Sequence, residues 1–336
     1  IVGGTILLEK NSVPKLRMAQ CEYTPLYTGV RKYFKGAGKY NGSIGGGYIQ
    51  TFAYDSRRPK NRISNKLYQA RLDSRFIASL PAPLPLHQFT LADMIGSSGA
   101  APEQVLRQFG FKNLGFPEFR HWPVYPASEI GQQDHHEYPH GDGGHLENFG
   151  IMPLLARRVK KIIVFINTRS KFDFNRRKVV DDLPPLFGRT DGINTRRNRS
   201  QLAVNKVFKS NKFDQLINAF CNQQKRGETL IHCDEYDVLS NDHYKIEPYK
   251  TTICWIYNDR VKNWEDLIIN KNVRKLLFNR NDNFKNQFKN FPHYKTFLEN
   301  PPNLIDLSKE QVNLLAHLSC WNIIINANQI KTKLKL

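Results

Sequence analysis

The clearest hydrophobic pattern of the chain is a predicted helix that leads directly into a predicted strand near the middle of the sequence. Apolar residues recur there at helical spacing, at Phe149, Met152, Leu155 and Val159. The segment from Ile162 to Ile166 follows as an uninterrupted, mostly β-branched apolar run. Such a run is typical of a strand buried on both faces. A loop, a helix and a buried strand in this order indicate the crossover of a parallel sheet.

A second helix is predicted near the end of the chain. Ser308 is followed three residues later by Gln311, which is the spacing of a capping box, and Leu307 and Val312 are placed for a hydrophobic staple. Residues 1–60 hold short β-rich pieces around the glycine-dense turn NGSIGGG, and residues 91–110 are helical in pattern but interrupted by small residues. The patterns favour an α/β fold with a central, mostly parallel sheet flanked by helices and a helix-rich C-terminal elaboration.

The charge of the chain indicates an anionic partner. Among 336 residues, 50 lysines and arginines face 30 acidic residues, for a net charge of +20. The basic residues cluster at 157–161, 169–199 and 271–289, and such clusters are either solvated faces or docking surfaces for acidic lipid or nucleic acid. No apolar run approaches the ~20 residues of a membrane-spanning helix, and no signal peptide is visible.

The five cysteines are scattered and show no CxxC spacing. A disulfide framework and a zinc knuckle are therefore not expected, and a reducing compartment such as the cytoplasm fits best. The stretch QDHHEYPHGDGGH has a metal-like composition without the spacing of a regular metal motif. A polar surface loop is the alternative, and no metal is expected. The residues of this stretch whose side chains are of metal-binding type are Asp134, His135, His136, Glu137, His140, Asp142 and His145.

Asp142 is the candidate for chemistry in the stretch HGDGGHLENFG. Glycines on both sides permit unusual backbone conformations and close approach of a substrate. A predicted helix begins a few residues later, and its positive end favours anionic chemistry nearby. Asp142 could therefore act as a general base, or it could simply cap the following turn. A trypsin-like protease, which the initial IVGG would suggest, is excluded because Gly143 occupies the serine position of GDSGG.

The segment GDGGHLENFGIMPLLARRVKKIIVFINTRS resembles the D-G-G-x-x-E-N-x-x-x-x-P-L-L block of the patatin-like and cytosolic phospholipase A/fungal lysophospholipase superfamily. Three upstream pieces are similar to further segments of that superfamily, in the same order. They are CEYTPLYTG, GGGYIQTFAY and MIGSSGAAPE, at residues 21–29, 45–54 and 94–103. The resemblance implies that residues 1–170 form the C-terminal part of a catalytic core, on which the basic and helical region 171–336 packs.

The same resemblance implies a serine–aspartate dyad that hydrolyses acyl esters of phospholipids or lysophospholipids without a cofactor. Asp142 matches the aspartate, and Gly143, Gly144, Glu147 and Asn148 match the loop that supports it. No G-x-S-x-G motif is present, so we expect the serine on a segment that precedes residue 1. Within the chain, the weaker candidates for the nucleophile are Ser43, Ser97 and Ser98.

Two further partners follow from this interpretation. An anionic membrane surface is expected to attract the basic clusters, which places the enzyme in the cytoplasm or peripherally at a membrane, although a missing N-terminus leaves secretion open. Nucleic acid is a less favoured partner. The alternative is a non-catalytic, basic protein on the same scaffold that binds membranes or nucleic acid. Loss of ester hydrolysis on replacement of Asp142 distinguishes the enzyme from the binding protein.

Overall fold

The chain folds into two compact units. The computed structural model describes residues 1–8, 18–36, 42–55, 89–99, 117–124, 136–169, 171–180, 182–189, 203–278, 288, 290–293 and 307–336. The first unit comprises residues 1–153 with 242–245, and the second comprises 154–241 with 246–336. Among the described residues, no helix has both the length and the apolar character needed to cross a membrane.

The first unit is built on a six-stranded sheet in which all neighbouring strands are antiparallel. Its strands are β1 (Val2–Leu7), β2 (Met18–Tyr23), β3 (Tyr27–Val30), β4 (Gly47–Gln50), β5 (Glu118–His121) and β6 (His136–Asp142). Their order across the sheet is β4-β3-β2-β1-β6-β5. Helix α1 (Leu91–Ser98) packs against β1 and β6, and its N-terminus is closed by a capping box of Thr90 and Asp93.

The sheet curls because its two outer ends meet. The backbone N–H of Val124, just after β5, donates to the carbonyl of Gly45, just before β4, over 2.7 Å. Gly45 and Gly46 have positive φ angles of 80° and 91°, and a Cβ on Gly46 would lie 2.0 Å from the Val124 carbonyl oxygen. Only glycine permits this approach at Gly46, where the backbone bends, so the glycine-dense stretch lets the two edges of the sheet meet.

The second unit is built on a three-stranded mixed sheet with the order β7-β9-β8. The strands are β7 (Lys161–Ile166), β8 (Leu230–Val238) and β9 (Tyr249–Tyr257). Strand β9 runs parallel to β7 and forms an antiparallel hairpin with β8. The helices α2 to α8 are Ile151–Ala156, Leu183–Leu186, Ser210–Arg226, Lys262–Asp266, Lys271–Phe278, Lys309–Ile325 and Ala327–Leu334.

The predicted α/β fold with a central, mostly parallel sheet flanked by helices and a helix-rich C-terminal elaboration is wrong. The described strands of the first unit are antiparallel throughout, and β7–β9 is the one parallel pair in the described sheets. The error has a physical reason, because an apolar strand after a helix specifies neither its neighbour nor that neighbour's direction. Burial of this strand on both faces is also not observed, since Ile163 and Phe165 are 39% and 40% exposed.

The local predictions agree better with the structure. The predicted strand at 162–166 lies within β7, and the predicted C-terminal helix is α7, where Ser308 and Gln311 form both hydrogen bonds of the capping box. Helix α1 matches the first part of the helical pattern at 91–110, whose remainder lies largely outside the described residues. The short helix α3 occupies LPPL, a stretch whose composition indicates a turn.

One disulfide joins Cys233 of β8 to Cys254 of β9. The two residues face each other directly in the register of the hairpin. The scattered cysteine positions gave no indication of this pair, since 20 residues separate them in the sequence. Cys21, Cys221 and Cys320 are free thiols, of which only Cys320 is exposed.

Candidate functional site

Asp142 is the last residue of β6, and its backbone is firmly held by β1. It lies opposite Gly4 in the antiparallel register. The hydroxyl of Thr5, a residue that is fully buried, donates to the Asp142 carbonyl oxygen over 2.8 Å. A side chain at the end of a paired strand is positioned more precisely than one on a free loop. The position that sequence reasoning selected is therefore on a rigid element.

The Asp142 carboxylate uses one oxygen to cap the turn that follows. Its Oδ1 atom accepts a hydrogen bond of 2.9 Å from the backbone N–H of Gly144, and residues Gly143–His145 form a single 3-10 turn. The side chain is half-buried. The described residues supply no hydrogen bond or ion pair to Oδ2. The capping role is thus present, while Oδ2 is left to accept a proton from a hydroxyl; the role as general base stays a prediction.

The two glycines after Asp142 differ in how closely their surroundings approach them. A Cβ on Gly143 would lie 3.0 Å from the backbone of Gly3, and one on Gly144 would lie 2.2 Å from the Oδ1 atom of Asn148. Asn148 is exposed, so its side chain can move aside for a Cβ on Gly144, whereas the Gly3 backbone beside Gly143 cannot. The role of these residues in supporting the chemistry of Asp142 stays a prediction.

Glu147 closes the start of helix α2. Its side chain is buried, and Oε2 accepts the backbone N–H of Ile151 over 2.9 Å while Oε1 accepts that of Phe149. A carboxylate at a helix N-terminus satisfies free N–H groups and interacts favourably with the helix dipole. Glu147 therefore orders the chain after Asp142.

None of the serines of the described segments donates to the Asp142 carboxylate. Ser43 is buried and accepts bonds of 3.1 Å from the N–H of Gly36 and from the hydroxyl of Tyr33. Ser97 is buried and donates to the carbonyl of Asp93, one helical turn earlier in α1. Ser98 is half-buried at the end of the same helix. Among the described residues, Gly144 thus bonds to the Asp142 carboxylate, and no serine hydroxyl does.

The histidine-rich stretch does not assemble a metal site in the part of the chain that the structure describes. No group of three or more histidine, cysteine, aspartate or glutamate side chains there could hold a metal ion. Asp134 and His135 lie outside the described residues. His140 points into the sheet core, where its ring packs against Tyr54 and Phe119.

A buried polar chain of three side chains runs through the core of the first unit, and sequence reasoning missed it. The Nδ1–H of His140 donates to the Tyr138 carbonyl over 2.8 Å, so Nε2 accepts from the Tyr54 hydroxyl, also over 2.8 Å. The Cys21 sulfur lies 3.7 Å from the same hydroxyl oxygen. Burial raises the pKa of Cys21 to about 12, so this thiol stays protonated and is not a nucleophile at neutral pH. These hydrogen bonds give the buried polar groups of the three side chains their partners.

Three histidines of the first unit make its stability depend on pH: His243, whose pKa burial lowers to about 4, and two histidines of the sheet core. Burial lowers the pKa of His140 to about 4, and burial together with the nearby His140 lowers the pKa of His121 to about 3. Unfolded histidine titrates near pH 6.5, so below that pH the unfolded state binds more protons than the folded state. The stabilisation is complete above pH 6.5 and is lost as the pH falls toward 4, by up to ~1.4 kcal/mol per pH unit for each histidine.

The prediction is that urea unfolding of the native protein at several pH values between 7.5 and 4.5, followed by circular dichroism, shows this loss. The variant H140Q keeps an amide that can bond Tyr54 but does not titrate in this range. Its unfolding free energy should therefore fall less steeply with decreasing pH than that of the native protein. Equal slopes for the two proteins would contradict the assignment.

Comparisons with known proteins identified no relative of this chain. No protein-family profile, no curated protein and no solved structure matches the chain. The likeness to the patatin-like superfamily therefore depends on the quoted sequence segments alone.

Proposed function

We propose that the protein hydrolyses acyl esters of phospholipids or lysophospholipids, with Asp142 as the general base. The observation that carries the proposal is the state of the Asp142 carboxylate. One oxygen is held by Gly144 N–H at 2.9 Å, and the other has no partner among the described residues. A carboxylate that is fixed by one oxygen and open at the other suits direct proton transfer from a hydroxyl. The sequence segments that resemble the patatin-like superfamily, in the same order along the chain, also support the proposal. The antiparallel sheet does not support it.

The proposed reaction has two steps. A serine hydroxyl, supplied from outside the described residues, attacks the ester carbonyl while Asp142 takes its proton. The carbon–oxygen bond to the leaving alcohol breaks, the alcohol receives that proton, and an acyl-enzyme remains. Water, activated by the same carboxylate, then releases the fatty acid and restores the serine. Backbone N–H groups of a glycine-rich loop would stabilise the oxyanion, and the reaction requires no cofactor.

Labelling with a fluorophosphonate tests the proposal. This reagent phosphonylates activated serine hydroxyls, so we expect one adduct in the native complete protein and none after heat denaturation. Peptide mapping identifies the serine. The same preparation should hydrolyse p-nitrophenyl butyrate and lysophosphatidylcholine. A native, folded protein that gives neither an adduct nor hydrolysis of either ester contradicts the proposal.

The second candidate is a non-catalytic protein that binds an anionic surface. The net charge of +20 favours it, because basic residues within about a Debye length of an acidic membrane or nucleic acid are attracted to it. In the enzyme, the same charge would hold the protein at a lipid surface, in the cytoplasm or peripherally at a membrane. A protein that binds anionic vesicles but gives no fluorophosphonate adduct supports this second candidate.

A further inference from the structure

A cleft of about 350 Å³ lies in the second unit, at the end of the mixed sheet where the last turn of α8 crosses it. Five lysines line it, and two of them belong to the basic cluster at 157–161. The lysines are Lys160, Lys161, Lys250, Lys333 and Lys335. The lysines thus come from three segments that are far apart in the sequence, at residues 160–161, 250 and 333–335.

The fold explains why these lysines converge. Lys161 of β7 and Thr252 of β9 are register partners, so their side chains lie in one row across the sheet, and Lys250 follows on the same face. Ile330 and Leu334 of α8 pack on the apolar part of that face. The lysines of the last turn of α8 therefore come to lie at the same end of the sheet. Lys161 Nζ donates to the Lys335 carbonyl over 2.9 Å, which ties the helix end to β7.

The lysines of the cleft outnumber the carboxylates that could neutralise them. Glu235 and Asp234 also line the cleft, but Glu235 pairs with Lys250 at 3.1 Å and Asp234 pairs with Lys212 at 2.6 Å. Lys160, Lys161, Lys333 and Lys335 have no carboxylate partner among the described residues, and the Lys160 ammonium lies 5.1 Å from the centroid of the Tyr249 ring.

The negative end of α8 favours lysines in that helix, but it does not account for those supplied by β7. Like charges gathered around one concavity repel each other unless an anion lies between them.

We propose that this cleft binds a phosphate monoester. Such a group carries nearly two negative charges at neutral pH and three acceptor oxygens, which match several ammonium groups around one concavity. The hydroxyl of Thr252 has no hydrogen-bond partner in the described residues, so it adds a neutral donor. The source of the phosphate is either a soluble metabolite or a lipid headgroup. The site is independent of Asp142 and of the hydrolytic reaction.

The test compares two double variants of the complete protein. K160E/K333E reverses two lysines of the cleft, both of which are exposed. K225E/K309E reverses two exposed lysines that lie outside the basic clusters and do not line the cleft, and it changes the net charge equally. Isothermal titration with glycerol 3-phosphate measures the soluble source. Flotation with phosphatidylcholine vesicles that contain phosphatidic acid measures the lipid source, with phosphatidylserine vesicles as the comparison for charge alone.

We expect K160E/K333E to weaken binding at least 10-fold and K225E/K309E to weaken it less than 3-fold, with unchanged thermal unfolding of both. Binding of glycerol 3-phosphate supports a soluble ligand, and binding to phosphatidic acid vesicles alone supports a lipid. Three results overturn the proposal: no binding of either probe, equal loss in both variants, or phosphatidylserine vesicles binding as tightly as phosphatidic acid vesicles when glycerol 3-phosphate does not bind.

Discussion

Replacement of Asp142 by asparagine is expected to lower kcat/KM for acyl ester hydrolysis by about 100-fold to 10,000-fold, the usual contribution of a general base. Asparagine has nearly the same shape as aspartate. In the native protein the backbone N–H of Gly144 donates to Oδ1 of Asp142 over 2.9 Å, and the carbonyl oxygen of an asparagine side chain can accept the same bond. The 3-10 turn at Gly143–His145 should therefore persist. What the variant removes is the ability of Oδ2 to take a proton. The measurement is steady-state hydrolysis of p-nitrophenyl butyrate and lysophosphatidylcholine.

Asp173 provides a matched control for the loss of negative charge in a capped turn. Its Oδ1 atom accepts the backbone N–H of the residue two positions later, Asn175, over 3.1 Å, which is the same local arrangement as Asp142 with Gly144. D173N should change kcat/KM by less than about 2-fold, since Asp173 lies in the other unit and bonds its own turn. Activity of D142N within 3-fold of the native enzyme, with both variants folded, would remove Asp142 from the mechanism.

Replacement of Trp255 by alanine is expected to destabilise the second unit by about 3–5 kcal/mol, the usual cost of deleting a large aromatic side chain from a core. Trp255 lies in the central strand β9 and is fully buried. Its ring centroid is 6.4 Å from those of Phe187 and Phe208 and 6.5 Å from that of Tyr236. The cavity left by its removal would be bordered by rigid rings that cannot close it. Urea unfolding followed by circular dichroism measures the change.

Phe165 of β7 serves as the control for this second prediction. It is an aromatic residue of the same sheet but is 40% exposed, so F165A should cost about 1 kcal/mol or less. Similar losses of stability in W255A and F165A would mean that the hydrophobic core of the second unit does not lie where these contacts place it.

The features that could be predicted from the sequence are those whose partners are close together in the chain. Ser308 and Gln311 form the cap of α7 within one turn, and Gly45 and Gly46 adopt φ angles of 80° and 91°, which glycine reaches without the strain that a Cβ causes. Asp142 with its flanking glycines belongs to the same class. Its carboxylate contacts Gly144, two residues away, so the shape of this loop is encoded locally.

The direction and order of the strands depended on contacts between distant residues. Strand β7 is apparent in the sequence, but its pairing of Lys161 with Thr252 is specified only when the β8–β9 hairpin has formed. The same hairpin brings Cys233 and Cys254 together, and the curl of the first sheet joins Tyr54 to His140 across 86 positions of the chain. No periodicity in a short window contains such information, which is why the parallel sheet was predicted and the antiparallel one was found.

The primary structure alone was thus sufficient for helix caps, turns, the position of β7 and the choice of Asp142 as a candidate base. These depend on backbone sterics and on hydrogen bonds within a few residues. The half-exposure of Asp142, the burial of His140 and the convergence of lysines from β7 and α8 were decided by the tertiary structure, because exposure and electrostatic surroundings are properties of all the segments that pack together.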